Sequence, residues 1–309
     1  MLNLKNIPRV ISPPYLFRPQ QIVKRVWRGF FWKHHRRRTI TLPWNMPLTI
    51  DPQEDIGYNL ANQGLYELGV TEALWSLTDP GDLAVDAGAN IGYMTSILAK
   101  RCGKQGRVLS FEPQPLVFAS LRENAERWKG DGSNGAILLH EAALGDMDGK
   151  APLRCGDWFK KNRGTAWIES SDSPSKEGFS LEVESRKLDS LIQAGDSIGI
   201  LKMDVQGAEL SVLRGMTKLV DAKAVRDIVF EEVDKFPAPT HVWLESKGYS
   251  IFAIVETLGG VQLLPCSILP ESSWKSELPN YLATISPDRA IQRLNGRFWR
   301  AFGPLQYLS

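Results

Sequence analysis

Residues 85–93 read VDAGANIGY, and that stretch decides the fold. An apolar run, Leu83, Ala84 and Val85, meets Asp86 and then a turn with Gly88 and Gly92 that opens onto a helical pattern. A strand, a glycine turn and a helix are how an α/β protein brings its main chain up to a ligand. A dinucleotide turn needs G-x-G-x-x-G, so that a pyrophosphate can approach the second glycine, and Asn90 stands at that position. Asp86, just before the turn, would repel a pyrophosphate but suits a ligand carrying an ammonium or sulfonium group. The plain alternative is an ordinary strand-to-helix turn with no ligand.

Outward from the turn, strand and helix signals alternate from about Leu83. The first strand ends at Asp86 and a helix runs from Ile91 to about Arg101. RVLSFEP (107–113) reads as a second strand. PLVFASLRENAERW (115–128) is an amphipathic helix with Pro115 in its first turn. AILLHEAAL, from Ala136, is a third strand. APLRC, TAWIE and FSLEVES are short strand candidates around the polar loop 170–178. IGILKMDV (198–205) is a fourth central strand, GAELSVLRGMTKLV (207–220) a helix, RDIVFEEV (226–233) a fifth strand, and HVWLESKG a helix stopped by Gly248. YSIFAI, GVQLLP and NYLATI close the sheet.

This alternation predicts an α/β fold with a doubly wound, mostly parallel sheet. Ligands of such sheets bind at the carboxyl ends of strands where strand order reverses. The polar residues at those ends are Asp86, Glu112, Glu141, Asp204 and Glu231. Glu112 follows Gly88 by 24 residues, at the end of the second strand, where an acid accepts hydrogen bonds from the ribose hydroxyls of a nucleoside. NAD enzymes and methyl-transferring enzymes share that feature, so it indicates a nucleoside and not a reaction. The alternative for Glu112 is a cap on the helix after Pro113.

PGDLAVDAGANIGY, SFEPQP, EAALGDMDG, LDSL (188–191), ILKMDVQGAELSVLRG and IVFEEV occur in an order and spacing that resemble the FkbM-type methyltransferase family over about residues 57–286. The resemblance implies a Rossmann-like class I methyltransferase fold, S-adenosylmethionine (SAM) as cofactor, and methyl transfer to a hydroxyl of a sugar, glycan or secondary metabolite. It carries the cofactor-binding roles onto Asp86, Gly88, Asn90, Gly92 and Glu112, with their neighbours Ala87, Ala89, Tyr93 and Pro113. The adenine contact falls on Ala142 and Ala143, and the fourth-strand acidic motif on Asp204, Gly207 and Glu209. Gln206 departs from the family, which commonly has Glu there. SAM has no phosphate, so an acid can stand beside the turn and Asn90 can replace a glycine.

Asp204, next to the first strand at the switch point, and Glu231, one strand further, are the expected catalytic acids, and His241 a further base. Asp204 could instead cap the helix near Gly207, or share a divalent metal with Glu231. No metal is expected: Cys102, Cys155 and Cys266 are far apart, odd in number and without ligand spacing, which suits reduced thiols. His140 reads as structural. SPPY (12–15) resembles an amino-methylating DNA motif but lies in the N-terminal region instead of after the fourth strand. Pro265-Cys266 resembles a cytosine-methylating nucleophile but lies in the last hairpin, where a buried structural Cys is expected.

Charge sets the rest. Residues 1–50 hold ten Lys or Arg and no acid, leaving 27 basic against 35 acidic residues in the remainder, a net of −8. The stretch 23–38, VKRVWRGFFWKHHRRR, interleaves cations with aromatics, as an arm lying on an anionic membrane surface or gripping nucleic acid would. The acidic remainder would repel a phosphate backbone, so the membrane ranks first. A passive basic arm is the plain alternative. No long apolar run and no apolar leader is present, which points to a cytoplasmic protein, peripheral at the membrane. The expected organisation is a basic arm at 1–55, a methyltransferase domain at 56–286 and a helix or tail at 287–309. The other function classes are a nucleic-acid methyltransferase recruited by the arm and a non-catalytic nucleoside-binding module. An NAD oxidoreductase is disfavoured by Asn90.

Overall fold

The computed structural model describes residues 37–130, 132–155, 166–168, 179–193, 195–232, 234, 236–266 and 280–301. SPPY, the loop 170–178 and the basic stretch 23–38, save its last two residues, lie outside the described residues.

Strands β3 (Leu83–Ala87), β4 (Arg107–Phe111), β5 (Ala136–His140), β10 (Ile198–Met203), β11 (Val225–Glu231), β12 (Ser250–Thr257), β13 (Gly260–Pro265) and β14 (Asn280–Thr284) form the main sheet. Its order is β13-β12-β14-β11-β10-β3-β4-β5. β3, β4, β5, β10 and β11 run parallel, while β14 is antiparallel to both of its neighbours. From β3 the chain winds outward through β4 and β5, then crosses back to β10 on the other side of β3. The strand order therefore reverses between β3 and β10, as the alternation predicts, and a crevice opens at their carboxyl ends.

Every residue of β3 and β10 is buried because helices cover both faces. On one face lie α2 (Leu68–Leu77), α3 (Tyr93–Cys102) and the inner side of α4 (Pro115–Trp128), packed on Ala84, Ile200 and Val229. The other face, Val85, Leu201 and Ile228, is covered by α6 (Glu209–Arg214), α7 (Thr217–Asp221) and α8 (Pro239–Ser246) through Val212, Val220 and Leu244. The single helix expected over 207–220 is thus two. Gly215 lies at the break, where a Cβ would stand 1.8 Å from the carbonyl oxygen of Gly145. A smaller sheet, β6 (Ala143–Leu144), β7 (Gly149–Cys155), β8 (Ala166–Ile168) and β9 (Phe179–Arg186), takes up the short strands, in the order β6-β9-β7-β8.

Both expected domain boundaries fall inside the packed unit. Residues 38–50 form a hairpin of β1 (Arg38–Thr41) and β2 (Pro47–Ile50) whose Leu42, Trp44, Met46, Leu48 and Ile50 join the main core. Asn124 of α4 accepts from the Thr49 N–H at 2.7 Å, and Trp128 donates to the Pro47 carbonyl at 2.6 Å. At the other end α9 (Pro287–Leu294) buries Ala290 and Leu294, while Arg289 donates to Asp227 at 2.9 Å. Apolar spacing ties neither segment to the sheet by itself; only their burial does. Among the described residues no helix is long and apolar enough to cross a membrane.

Candidate active site

The turn after β3 spends its donors on the protein. Gly88 and Ala89 N–H both donate to the Phe111 carbonyl, at 3.0 and 2.9 Å, and Gly92 N–H donates to Ala89. Asn90 N–H donates to Glu112 Oε2 at 3.0 Å, and Ile91 N–H to the Asn90 side-chain oxygen at 2.8 Å. A phosphate cradle needs such groups free. Asn90 has φ 50°, a left-handed conformation that Asn tolerates through this kind of local hydrogen bond. Glu112, nearly enclosed, also accepts from Gln114 N–H at 2.9 Å. Burial nonetheless pushes its carboxyl up to about 7. The helix cap considered for Glu112 belongs to Gln114, whose side chain accepts from Val117 N–H at 2.7 Å.

Lys202 is the centre of the crevice. It points out of a fully buried strand, and its ammonium donates to the Gly88 carbonyl at 2.8 Å and lies 3.5 Å from both Asp86 and Asp204. Burial opposes its charge, but Asp204, Asp86, Glu67 and Glu112 more than offset this and hold the lysine firmly protonated. Asp86 is fully enclosed. Its Oδ2 accepts from the Thr95 hydroxyl at 2.6 Å, and Oδ1 is the oxygen that stands 3.5 Å from the Lys202 ammonium. The acid expected to face the cationic end of a ligand thus faces Lys202 instead.

Asp204 and Glu231 come together at the carboxyl ends of β10 and β11. Glu231 is pushed up to about 7 by burial and by the neighbouring charges of Asp204 and Glu67. Asp204 is part-exposed and its Oδ1 accepts from the Gln206 side-chain amide at 2.7 Å. A glutamate at 206 would set a second carboxylate against Asp204; glutamine supplies a donor. Asp204 does not cap the following helix. Glu209, the first residue of that helix, ties down the preceding loop, accepting from the Val205 and Gly207 N–H groups at 3.3 and 3.2 Å.

Glu67 and Tyr66, just before α2, complete the cluster and escape a motif-based reading. Burial and the charge of Asp204 push the Glu67 carboxyl up to about 7, and the Tyr66 hydroxyl is hydrogen-bonded to it. Burial and the same carboxylates raise the Tyr66 hydroxyl well above the ordinary tyrosine range. The signal in the sequence was slight: a charged residue beside an aromatic, ahead of the mostly apolar LGVTEALWSL. Lys202 carried a stronger one, a lysine in an otherwise apolar central strand.

Comparison with known proteins matches residues 86–251 to the methyltransferase FkbM domain. The chain belongs to the FkbM methyltransferase family. It is 28% identical to methyltransferase 1 of Beauveria bassiana over 189 residues, 54% of this chain and 72% of that protein. It is also 28% identical to the hexuronic acid methyltransferase AglP of Haloferax volcanii over 165 residues, 50% of this chain and 59% of AglP. The crystal structure of methyltransferase FkbM from Methylobacillus flagellatus KT aligns with a TM-score of 0.42 and 16% identity over 72% of this chain; the chain spans about half of that protein's length, 52%.

Several residues expected in the site of this FkbM family member stand elsewhere. His241 is fully buried among Phe230, Phe236 and Tyr281, on the other face of the sheet from Glu231. Its Nδ1 accepts from Ala238 N–H at 3.1 Å, and burial lowers its basicity to about 4. It is a neutral core imidazole and not a base in the crevice. Tyr93 is equally enclosed, its hydroxyl accepting from Tyr66 N–H at 3.2 Å. It shapes the site from below. Ala142 and Ala143 are buried, Ala143 against Leu153 and Val183, and Ala87 and Ala89 are buried too, so these alanines offer main chain at most. Glu141 is exposed, and half-buried Pro113 lies between Glu112 and the capping Gln114. Cys266 is a buried thiol pushed up to about 11 by its surroundings, a structural cysteine as expected.

Proposed function

We propose that this chain transfers a methyl group from SAM to a hydroxyl of a sugar, a glycan or a secondary metabolite. The observation that carries the reading is the charge of the crevice. Glu67, Asp86, Glu112, Asp204 and Glu231 surround Lys202, while the N–H groups of the turn are already occupied. A pyrophosphate finds neither donors nor a compensating charge there. A ligand with a sulfonium and an ammonium meets carboxylates short of cations, one lysine standing among five acids.

When bound, SAM supplies a methyl group made electrophilic by its sulfonium. Glu112 holds the ribose hydroxyls: two N–H groups occupy part of its carboxylate, and the remaining lone pairs are available. Asp204 and Glu231 stand on the acceptor side. An aliphatic hydroxyl is too weak an acid to ionise beforehand, but as the C–O bond forms and the C–S bond breaks its proton becomes strongly acidic. A carboxylate within hydrogen-bond reach takes it. The similarity to a hexuronic acid methyltransferase supports a sugar as the acceptor.

Two measurements test this. Thermal shift should respond to SAM and S-adenosylhomocysteine and not to NAD. Labelled methyl from SAM should then appear in hexuronic-acid-containing acceptors or in extract glycans. Stabilisation by NAD, or by none of the three, would overturn the reading.

A further inference from the structure

The turn that carries Glu67 is held more firmly than a connection requires. Glu67 has φ 40° and ψ 71°, a left-handed conformation that glycine adopts freely and a side-chain-bearing residue adopts only where its surroundings impose it. Bonds from several elements impose it here. Tyr66 N–H donates to the Tyr93 hydroxyl of α3 at 3.2 Å, and the Thr71 hydroxyl donates to the Tyr66 carbonyl at 2.7 Å. Thr71 N–H donates to the Glu67 carbonyl at 2.8 Å. Gly69 N–H donates at 2.6 Å to Glu256 of β12, a strand 187 residues away. The result is a carboxylate fixed beside Lys202 and Asp204, with the Tyr66 hydroxyl bonded to it.

The order of strands says what it faces. Glu112, just past the end of β4, takes the ribose in the reading above, so the rest of the donor extends past β3 toward β10. There Glu67, Lys202 and Asp204 meet. Glu231 is one strand beyond, toward the acceptor. The Lys202 ammonium donates to the Gly88 carbonyl and stands 3.5 Å from Asp86 Oδ1 and from Asp204 Oδ2, so one lysine is set against Asp86, Asp204 and Glu67 and the corner keeps negative charge for a second cation.

We propose that Glu67, presented by the strained Tyr66–Glu67 turn, receives the ammonium of the donor's amino-acid tail. This rests on the SAM reading above, and it adds a residue outside the stretch 86–251 matched by the family. Tyr93, Thr71 and Glu256 are then positioning residues, acting through the turn.

The test is calorimetry on the full chain with S-adenosylhomocysteine, which keeps the tail, and 5′-methylthioadenosine, which lacks it. Glu67→Gln should weaken S-adenosylhomocysteine by about tenfold or more, the scale of a charge-assisted hydrogen bond, and leave methylthioadenosine within about twofold. Glu67→Gly should show the same selective loss while melting no lower than the wild type, because glycine relieves the turn. An unchanged or tighter S-adenosylhomocysteine complex, or equal losses for both ligands, would overturn the assignment and leave the SAM reading standing. A wild-type chain that binds neither ligand would overturn both.

Discussion

The backbones of Gly88 and Asp204 meet across the switch point: a Cβ on Gly88 would stand 1.9 Å from the Asp204 carbonyl oxygen. Gly88 also has φ 75°, so any side chain there is strained as well as obstructed. The glycine that marks the turn in sequence is therefore spent on bringing β3 against the end of β10, which sets Lys202 and Asp204 against Asp86 and the turn. Gly88→Ala should destabilise the fold by roughly 2–4 kcal/mol. A melting temperature equal to the wild type would show that the two segments part without cost.

Glu112 joins the turn to the segment after the second strand, and in the proposed reading it also holds the ribose. Glu112→Ala should weaken SAM by roughly 1.5–3 kcal/mol, and should also lower stability by leaving Asn90 and Gln114 N–H without acceptors. Calorimetry and thermal melting read the two effects separately. Unchanged affinity in a destabilised variant would leave Glu112 as a structural tie alone.

The ligand-free protein should lose stability as pH rises. Glu67, Glu112 and Glu231 are pushed up to about 7 from an ordinary 4.5, mainly by burial, with Asp204 adding to the shift at Glu67 and Glu231. Between those values the folded chain holds protons that the unfolded chain has released. Their contribution is fully present below about 4.5 and is lost as pH rises through 7. Melting temperature in the absence of ligand should fall between about pH 5 and pH 8. The extra stabilisation by SAM should grow over the same range, because ionised carboxylates attract a cation. Raising the pH is expected to favour SAM over the uncharged thioether of S-adenosylhomocysteine; a ratio independent of pH would count against carboxylates facing the sulfonium.

Asp204→Asn keeps the side-chain oxygen that accepts from Gln206, and the loop that follows is held by Glu209, so the variant should fold normally. Binding of S-adenosylhomocysteine should stay near normal while methyl transfer falls roughly 100-fold or more. Full turnover would move proton acceptance to Glu231, testable with Glu231→Gln. Wild-type activity lost to a chelator and restored by magnesium would assign Asp204 to a metal instead.

The sequence by itself determined the parts that rest on local rules. Alternating apolar periods specify the strands and helices, VDAGANIGY specifies a glycine turn without the dinucleotide pattern, and the placement of Glu112, Asp204 and Glu231 at strand ends follows from where those strands stop. Tertiary structure decided which charged groups face one another. Asp86 was legible as an acid beside the turn, but its enclosure against Lys202 depends on β10 lying next to β3. His241 follows the fifth strand closely in sequence, yet it packs with Phe230 on the opposite face, because neighbouring residues of a strand point to opposite sides. Glu67 precedes every stretch that carries the family resemblance and is brought to Asp204 only by the docking of α2, fixed in part by Glu256. Local periodicity records which face of an element is apolar; it does not record which elements will be neighbours, and the Coulomb energy of a buried carboxylate depends on those neighbours.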